Sequence, residues 1–276
     1  MLTGDLSPTS GTMTVNGTLM RGDKLNFFRN AHIGRCPQVD PLVDYLTPTE
    51  HVKILSRVRS GLSNEAIATH TKKIFRKIGL ENYADRESVT LSGGTRRKLS
   101  VALSLLPGTQ VIFLDEPSTG MDPVARRGLW NIIQEEQNKE NHTVVLTTHS
   151  MEEAEAVCTN VAIITKGALT CYGSVQHLKS MFSDGYHVTV ELNPARAASP
   201  EGCDQAIRSL CPFGGGIVVD AAGHRRTYNV GRVESLANLF EQLEGIKERV
   251  GIVSYMVTQT TLEDVFLMLT RQSEAN

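Results

Sequence analysis

Between Leu91 and Pro117 lies the feature that leaves this chain fewest folds: a Ser-Gly-Gly helix start, a helix, and a short apolar run ending in two acids. Thr95 to Leu106 reads as a helix stopped by Pro107-Gly108. Val111-Ile-Phe-Leu114 is continuously apolar, which predicts a strand buried on both faces of a mainly parallel sheet. Asp115 and Glu116 then stand where that strand leaves the sheet. Ligands of open α/β sheets bind outside the carboxyl ends of the strands, so both carboxylates are expected to face a crevice. An adjacent pair divides its labour, Asp115 toward a magnesium shell and Glu116 toward an attacking water as general base. Taken alone, the same residues also describe a strand ending in two solvated acids and a turn at Pro117.

The helix start adds an anion. Ser92 caps, Gly93 and Gly94 allow close backbone approach, and unpaired N–H groups with the helix dipole favour a phosphate. Gly-Gly by itself describes an ordinary glycine-rich loop before an amphipathic helix better than a phosphate site. Leu-Ser-Gly-Gly upstream of Leu-Asp-Glu-Pro reverses that balance. One part is missing. No Gly is followed by Lys in the 276 residues, so the phosphate-cradling loop G-x-x-x-x-G-K-[ST] is not present in the chain.

These residues resemble the nucleotide-binding domain of ABC transporters. Leu91–Gly94 is similar to the family's signature motif and Val111–Glu116 to its Walker B strand. Further motifs follow in the family's order: Gln38 in Cys36-Pro-Gln-Val-Asp40 resembles the Q-loop, Ser118-Thr-Gly-Met-Asp122 the D-loop, and His149 in Thr147-Thr-His-Ser150 the switch histidine. Read physically, Val144–Thr147 is another short apolar strand, which brings His149 to the sheet edge that carries Glu116. A neutral imidazole there can hydrogen-bond a γ-phosphate or the attacking water. Ser150-Met-Glu-Glu153 reads as a capping box opening the next helix. A lone His or a loop Gln is by itself usually a solvated residue, and the neighbouring motifs carry these two assignments.

The resemblance implies an α/β fold: an ABC-type P-loop NTPase core, here without the P-loop, containing a helical subdomain. A finer likeness, in Met1–Asp5, Tyr83–Arg86, Arg126–Asn131, Gln176–Lys179 and Thr258–Leu262, is to the A subfamily of large, often lipid-exporting transporters. It is nearer to their second nucleotide-binding domain than to their first. In that family Met1-Leu-Thr-Gly lies on the helix after the phosphate loop, so the chain is expected to begin inside that helix.

Composition sets bounds. A formal net charge of -2 indicates no polyelectrolyte partner, and nucleic acid is not expected. Arg96-Arg-Lys98 and His224-Arg-Arg226 are read as solvated helix and hairpin faces. The five cysteines include no C-x-x-C pair, which fits a reducing compartment better than a disulfide framework or a zinc site. No apolar run approaches the ~18–20 residues of a membrane span. Nothing at the start resembles a signal peptide.

Along the chain, Thr12–Gly17 reads as a strand entering an Asn-Gly turn. Thr47, Pro48 and Glu50 open a mostly helical block that runs to Gly79, and the interval between Gln38 and Ser92 has no room for a coiled-coil arm. The catalytic sheet is expected to include strands starting at Val111, Val144 and Val161, with helices Pro123–Lys139 and Met151–Cys158 between them. Lys166-Gly167 is a turn, Val175–Phe182 a short helix, and a domain boundary is expected near Asp184-Gly185. Beyond it come strand Tyr186–Leu192, helix Asp204–Leu210, hairpin strands Ile217–Asp220 and Arg225–Val230, helix Glu234–Leu243, strand Ile252–Val257 and helix Thr261–Leu269. That β-α-β-β-α-β order is the ferredoxin-like plan. Asn193–Pro200 and Gly214–Gly216 read as loops. The expected domains are 1–184, an ATPase with its helical subdomain at about 47–106, and 185–276, a ferredoxin-like regulatory domain.

The family mechanism implies a head-to-tail pair with two ATP molecules between the partners. Ser92, Gly93, Gly94 and Asp122 would meet nucleotide across the pair. Gln38, Asp115, Glu116 and His149 would serve the chain's own MgATP, with Asp115 and Gln38 toward magnesium. Phosphoryl transfer is mostly positioning and charge stabilisation, so the 276 residues alone are expected to bind and hydrolyse almost no ATP. The implied partners are a second nucleotide-binding domain and transmembrane domains that hold it at the cytoplasmic face of a membrane. Three alternatives stand beside this one: a separate ATPase subunit of a bacterial-type exporter, a soluble ABC protein acting on nucleic acid or ribosomes, and a non-enzymatic partner lending only its signature face.

Overall fold

The structure is a computed structural model that describes Thr3, Leu6 and residues 8–15, 17–19, 32–60, 62–140, 142–182, 185–193, 200–209, 217–222, 224–230 and 235–275. The chain forms two compact units, Met1–Val157 and Cys158–Asn276. Among the described residues no helix is long and apolar enough to cross a membrane.

In the first unit, β1 (Thr14–Val15) and β2 (Thr18–Leu19) pair antiparallel. The central sheet has three parallel strands, β3 (Ile33–Cys36), β4 (Val111–Asp115) and β5 (Thr143–Thr147), with β4 in the middle. Cys36 pairs with Leu114 and Asp115 with Thr147, so all three strands end at one edge. Burial of β4 alternates: Ile112 and Leu114 are fully inside, while Val111 and Phe113 are half-buried. The continuous apolar run therefore has one deeply packed face and one thinly covered face.

The helical block resolves into α1 (Pro48–Ser60) and α2 (Asn64–Ile78), followed by short 3-10 turns at Glu81–Tyr83 and Ser88–Thr90. The predicted capping box of α1 is made both ways: Thr47 N donates to Glu50 Oε2 (2.8 Å) and Glu50 N to Thr47 Oγ1 (3.2 Å). Helix α2 ends at Gly79 in the left-handed region, with its N–H capping onto Phe75 and Arg76 carbonyls. Helix α3 (Gly93–Ser104) packs on β3, β4, α1 and α2 and buries Leu99, Val101 and Leu103. It lies so close to β3 that only glycine fits at position 34, where the Ser104 carbonyl presses on the strand. Helices α4 (Pro123–Gln137) and α5 (Met151–Val157) complete the unit. Glu136, almost fully buried on α4, accepts from Lys77 of α2 (3.3 Å) and from Lys139.

In the second unit, β6 (Asn160–Thr165) and β7 (Ala168–Ser174) form a hairpin turned by Lys166-Gly167, both with positive φ. The expectation that Val161 resumes the catalytic sheet is corrected here: β6 pairs with β7 in its own two-stranded sheet. Helix α6 (Val175–Phe182) follows. The ferredoxin-like order is then β8 (Tyr186–Leu192), α7 (Pro200–Ser209), β9 (Ile217–Ala222), β10 (Arg225–Asn229), α8 (Leu236–Val250) and β11 (Ile252–Gln259). The antiparallel sheet runs β11-β8-β10-β9. Val188, Val190, Ile207, Tyr228, Leu243 and Ile246 fill its core. Helix α9 (Leu262–Ala275) turns back to the hairpin, where Val265 and Leu269 bury against Ile163. That packing explains why the compact division falls at Val157 while the sequence changes character near Asp184. The Gly214–Gly216 loop and most of Asn193–Pro200 lie outside the described residues.

Candidate functional site

The parallel register collects the acids and the histidine. Asp115 closes β4 opposite Thr147, whose hydroxyl donates to Asp115 Oδ1. Glu116 follows with φ of 47°, a left-handed conformation that a non-glycine residue seldom adopts. Its amide donates to the Thr147 carbonyl (3.0 Å), and its Oε2 accepts from Thr119 Oγ1 (3.2 Å). His149 Nδ1 stands 3.4 Å from the same Oε2, with three-quarters of its side chain open to solvent. Glu116 and His149 therefore meet as expected, and Asp115 lies one residue away on the same strand end.

His149 is steadied by the start of α5. Ser150 Oγ accepts from the Glu153 amide (3.3 Å), which is half of the predicted capping box. The return half is absent, because the Glu153 carboxylate is fully buried and accepts from Trp130 Nε1 (3.1 Å) of α4. The Ser150 amide donates to Thr148 Oγ1 instead (3.0 Å).

At the head of α3, Ser92 caps by accepting from Thr95 N (3.3 Å), with the Thr95 hydroxyl 2.9 Å away. Ser92 and Gly93 are exposed. A Cβ at Gly94 would meet the Gly120 carbonyl at 3.6 Å, so the Ser118–Asp122 loop runs directly beside the signature. Asp122 is occupied as the N-cap of α4 and accepts from Val124 N and Ala125 N, both at 3.0 Å. The Ala125 amide, with that of Val124, holds its carboxyl below the usual carboxylate range.

Gln38 is exposed, two residues past β3. What ties its loop to the acids is Arg97, and this overturns the reading of Arg97 as part of a solvated helix face. Arg97 is only 4% exposed. Its Nη1 donates to Pro37 O (2.6 Å), Gln38 O (3.3 Å) and Asp40 Oδ1 (2.7 Å). Its Nη2 donates to the carbonyls of Asp115 and Glu116, and Nε to that of Pro117 (3.3 Å). A buried guanidinium needs such a ring of acceptors, and here every N–H finds one. Arg96 is likewise tied down, to Asp44 Oδ1 (3.1 Å) and Ser88 O (2.9 Å). So is Arg226 in the second unit, to both oxygens of Asp204.

The donor set suits magnesium held mainly by phosphates. Asp115 and Gln38 offer hard oxygens, and among the described residues no group of three His, Cys, Asp or Glu forms a cage. The exposed Ser92–Gly94 helix start suits a phosphate presented from outside. Four of the cysteines are described, and all four are free.

The ABC transporter family model matches residues 1–119. The chain is 41% identical over 278 residues to ATP-binding cassette sub-family A member 2 of Homo sapiens, covering 100% of this chain and 11% of that protein. It is 43% identical over 281 residues to the retinal-specific phospholipid-transporting ATPase ABCA4 of Bos taurus, covering 99% and 12%. It thus spans only 11–12% of the length of these relatives. A solved dimeric ATP-binding cassette in a post-hydrolysis state, bound to ADP and Pi, superimposes with a TM-score of 0.55 at 21% identity, over 60% of this chain and 74% of that one. That likeness places the fold among ABC cassettes. Sequence and fold together make this chain a nucleotide-binding domain of the ABC transporter family, of the A-subfamily type.

Proposed function

We propose that the chain is the ATP-binding and ATP-hydrolysing part of an A-type transporter that moves lipid across a membrane. The observation that carries this reading is the convergence of Asp115, Glu116 and His149 on one sheet edge, tied by Arg97 to the loop of Gln38. Glu116 is the general base: its Oε2 accepts the proton of the attacking water while Thr119 and His149 fix its direction. Asp115 and Gln38 would hold magnesium, which when bound would supply positive charge against the phosphates of ATP. Ser92, Gly93 and Gly94 meet the nucleotide of a second nucleotide-binding domain across a head-to-tail pair, and Asp122 lies beside that contact.

In this reading residues 1–184 form the ATPase domain, with the helical subdomain at about 47–106. Residues 185–276 form a ferredoxin-like regulatory domain. Transmembrane domains outside this chain hold it at the cytoplasmic face. The 276 residues alone lack a phosphate loop and are inactive. Lipid as the cargo rests on relatives such as the bovine phospholipid-transporting ATPase.

The test is a purified parent protein, carrying a phosphate loop and membrane domains, reconstituted into phosphatidylcholine vesicles. Hydrolysis of MgATP with movement of a labelled phospholipid between leaflets is expected. Hydrolysis without any lipid movement rejects the cargo, and no hydrolysis rejects the enzyme.

A further inference from the structure

Arg97 lies outside the five motifs, yet its guanidinium joins two of them. On one side are the Pro37 and Gln38 carbonyls and the Asp40 carboxylate. On the other are three consecutive carbonyls, Asp115, Glu116 and Pro117. With these carbonyls turned inward to Arg97, the Asp115 carboxylate is left to Thr147 and the Glu116 carboxylate to Thr119 and His149. Glu116 keeps a backbone conformation disfavoured for any residue with a side chain, so something must hold it there. The bonds from Arg97 to the carbonyls around it do so.

The same side chain is anchored at its base. Arg97 sits on α3, which is packed on β3 and β4 and begins at the Ser92 cap. The loop of Gln38 and the turn of Glu116 therefore share one nearly fully buried cation, and neither segment can shift without disturbing acceptors of the other. The five donors of a guanidinium match this arrangement. A lysine has three donors on one nitrogen and cannot span both segments.

We propose that Arg97 is a positioning residue that makes the Gln38 loop and the Asp115–Glu116 turn move as one body, so that displacement of the loop resets the general base. The proposal rests on the ATPase reading above. Its first test does not, since it uses hydrogen exchange on the 276-residue chain. In Arg97→Lys, the amides of Gln38, Val39 and Asp40 and those of Glu116 and Ser118–Met121 are expected to exchange at least about tenfold faster together, while those of α2 stay unchanged. Asp40→Asn keeps Arg97 and its carbonyl bonds but weakens the loop side, and it is expected to loosen both segments to a lesser degree. Loosening of the loop without the turn in Asp40→Asn overturns the proposal even if Arg97→Lys folds poorly.

The second test measures steady-state hydrolysis in the complete parent. Both variants are expected to lower kcat, Arg97→Lys by at least about tenfold, with KM for MgATP changed less than about threefold. A purely structural role would move KM and the folded fraction together, and unchanged kcat in both variants overturns the proposal. A wild-type parent that hydrolyses no MgATP instead removes the ATPase reading, and the proposal falls with it, whatever the exchange shows.

Discussion

Replacing Gly34 by alanine tests the packing on which the site is built. A Cβ there would sit well inside contact distance of the Ser104 carbonyl oxygen, 3.0 Å from its carbon and 3.1 Å from Thr109 Cγ2. The obstacle is backbone, so no rotamer change relieves it. Gly34 is fixed in the β3–β4 ladder opposite Ile112, so relief requires α3 to withdraw from β3 by more than about 1 Å. A gap of that size forfeits up to about half of each affected contact, along an interface that includes fully buried Cys36 and Leu99. The expected loss is about 3 kcal/mol or more. With a urea m-value of about 2 kcal/mol/M, the midpoint falls by about 1.5 M. Trp130, the single tryptophan, lies on α4 in the first unit and donates to buried Glu153, so its fluorescence follows that unit. Gly128→Ala is the control: its Cβ meets nothing within 4 Å inside the same helix, and a gain of about 0.5–1 kcal/mol is expected. A neutral Gly34→Ala, or the same sign for both variants, refutes the packing argument.

Tyr228 tests the second unit. It is fully buried, with its hydroxyl donating to Asp204 Oδ1 (2.8 Å) and Cys203 Sγ (3.3 Å), so Tyr228→Phe should cost about 1–2 kcal/mol in thermal unfolding followed by circular dichroism. Burial, with these bonds, pushes the phenol above its ordinary value of 10.0. A raised native value means that the stability it contributes is complete below that pH and is lost as pH rises toward the native value. Stability of the second unit should therefore decline above pH 10, and less so in Tyr228→Phe; equal declines reject the link. For the 276-residue chain alone, calorimetric titration with MgATP should show very weak binding and no measurable hydrolysis. Micromolar affinity would contradict the role given to the absent phosphate loop.

The residues legible in the sequence were those whose roles are set by near neighbours. The cap at Ser92, the Thr47–Glu50 box, the Lys166-Gly167 turn and the apolar strand of Asp115 are all written within a few positions. The structure bears out each of these local features. The ferredoxin-like order was legible for the same reason. Arg97 was not, because its acceptors lie 18 to 60 positions away and a charged residue on a helix is ordinarily solvated. A run of three basic residues beside the glycines was the available signal, and it pointed outward. Thr147 and Thr119 were missed alike, since their partners are fixed by parallel register and by the Glu116 turn. The sheet that β6 joins is not legible, because an apolar alternation states that a strand exists but not which strand it pairs with.

In the proposed function Glu116, held at the strand end beside His149, is the base for ATP hydrolysis. Glu116→Gln in a parent chain that carries a phosphate loop tests it most directly, by phosphate release and nucleotide retention measured on the same sample. Hydrolysis reduced by about 100-fold or more, with ATP still bound, is expected. Turnover equal to that of the unaltered protein would contradict it.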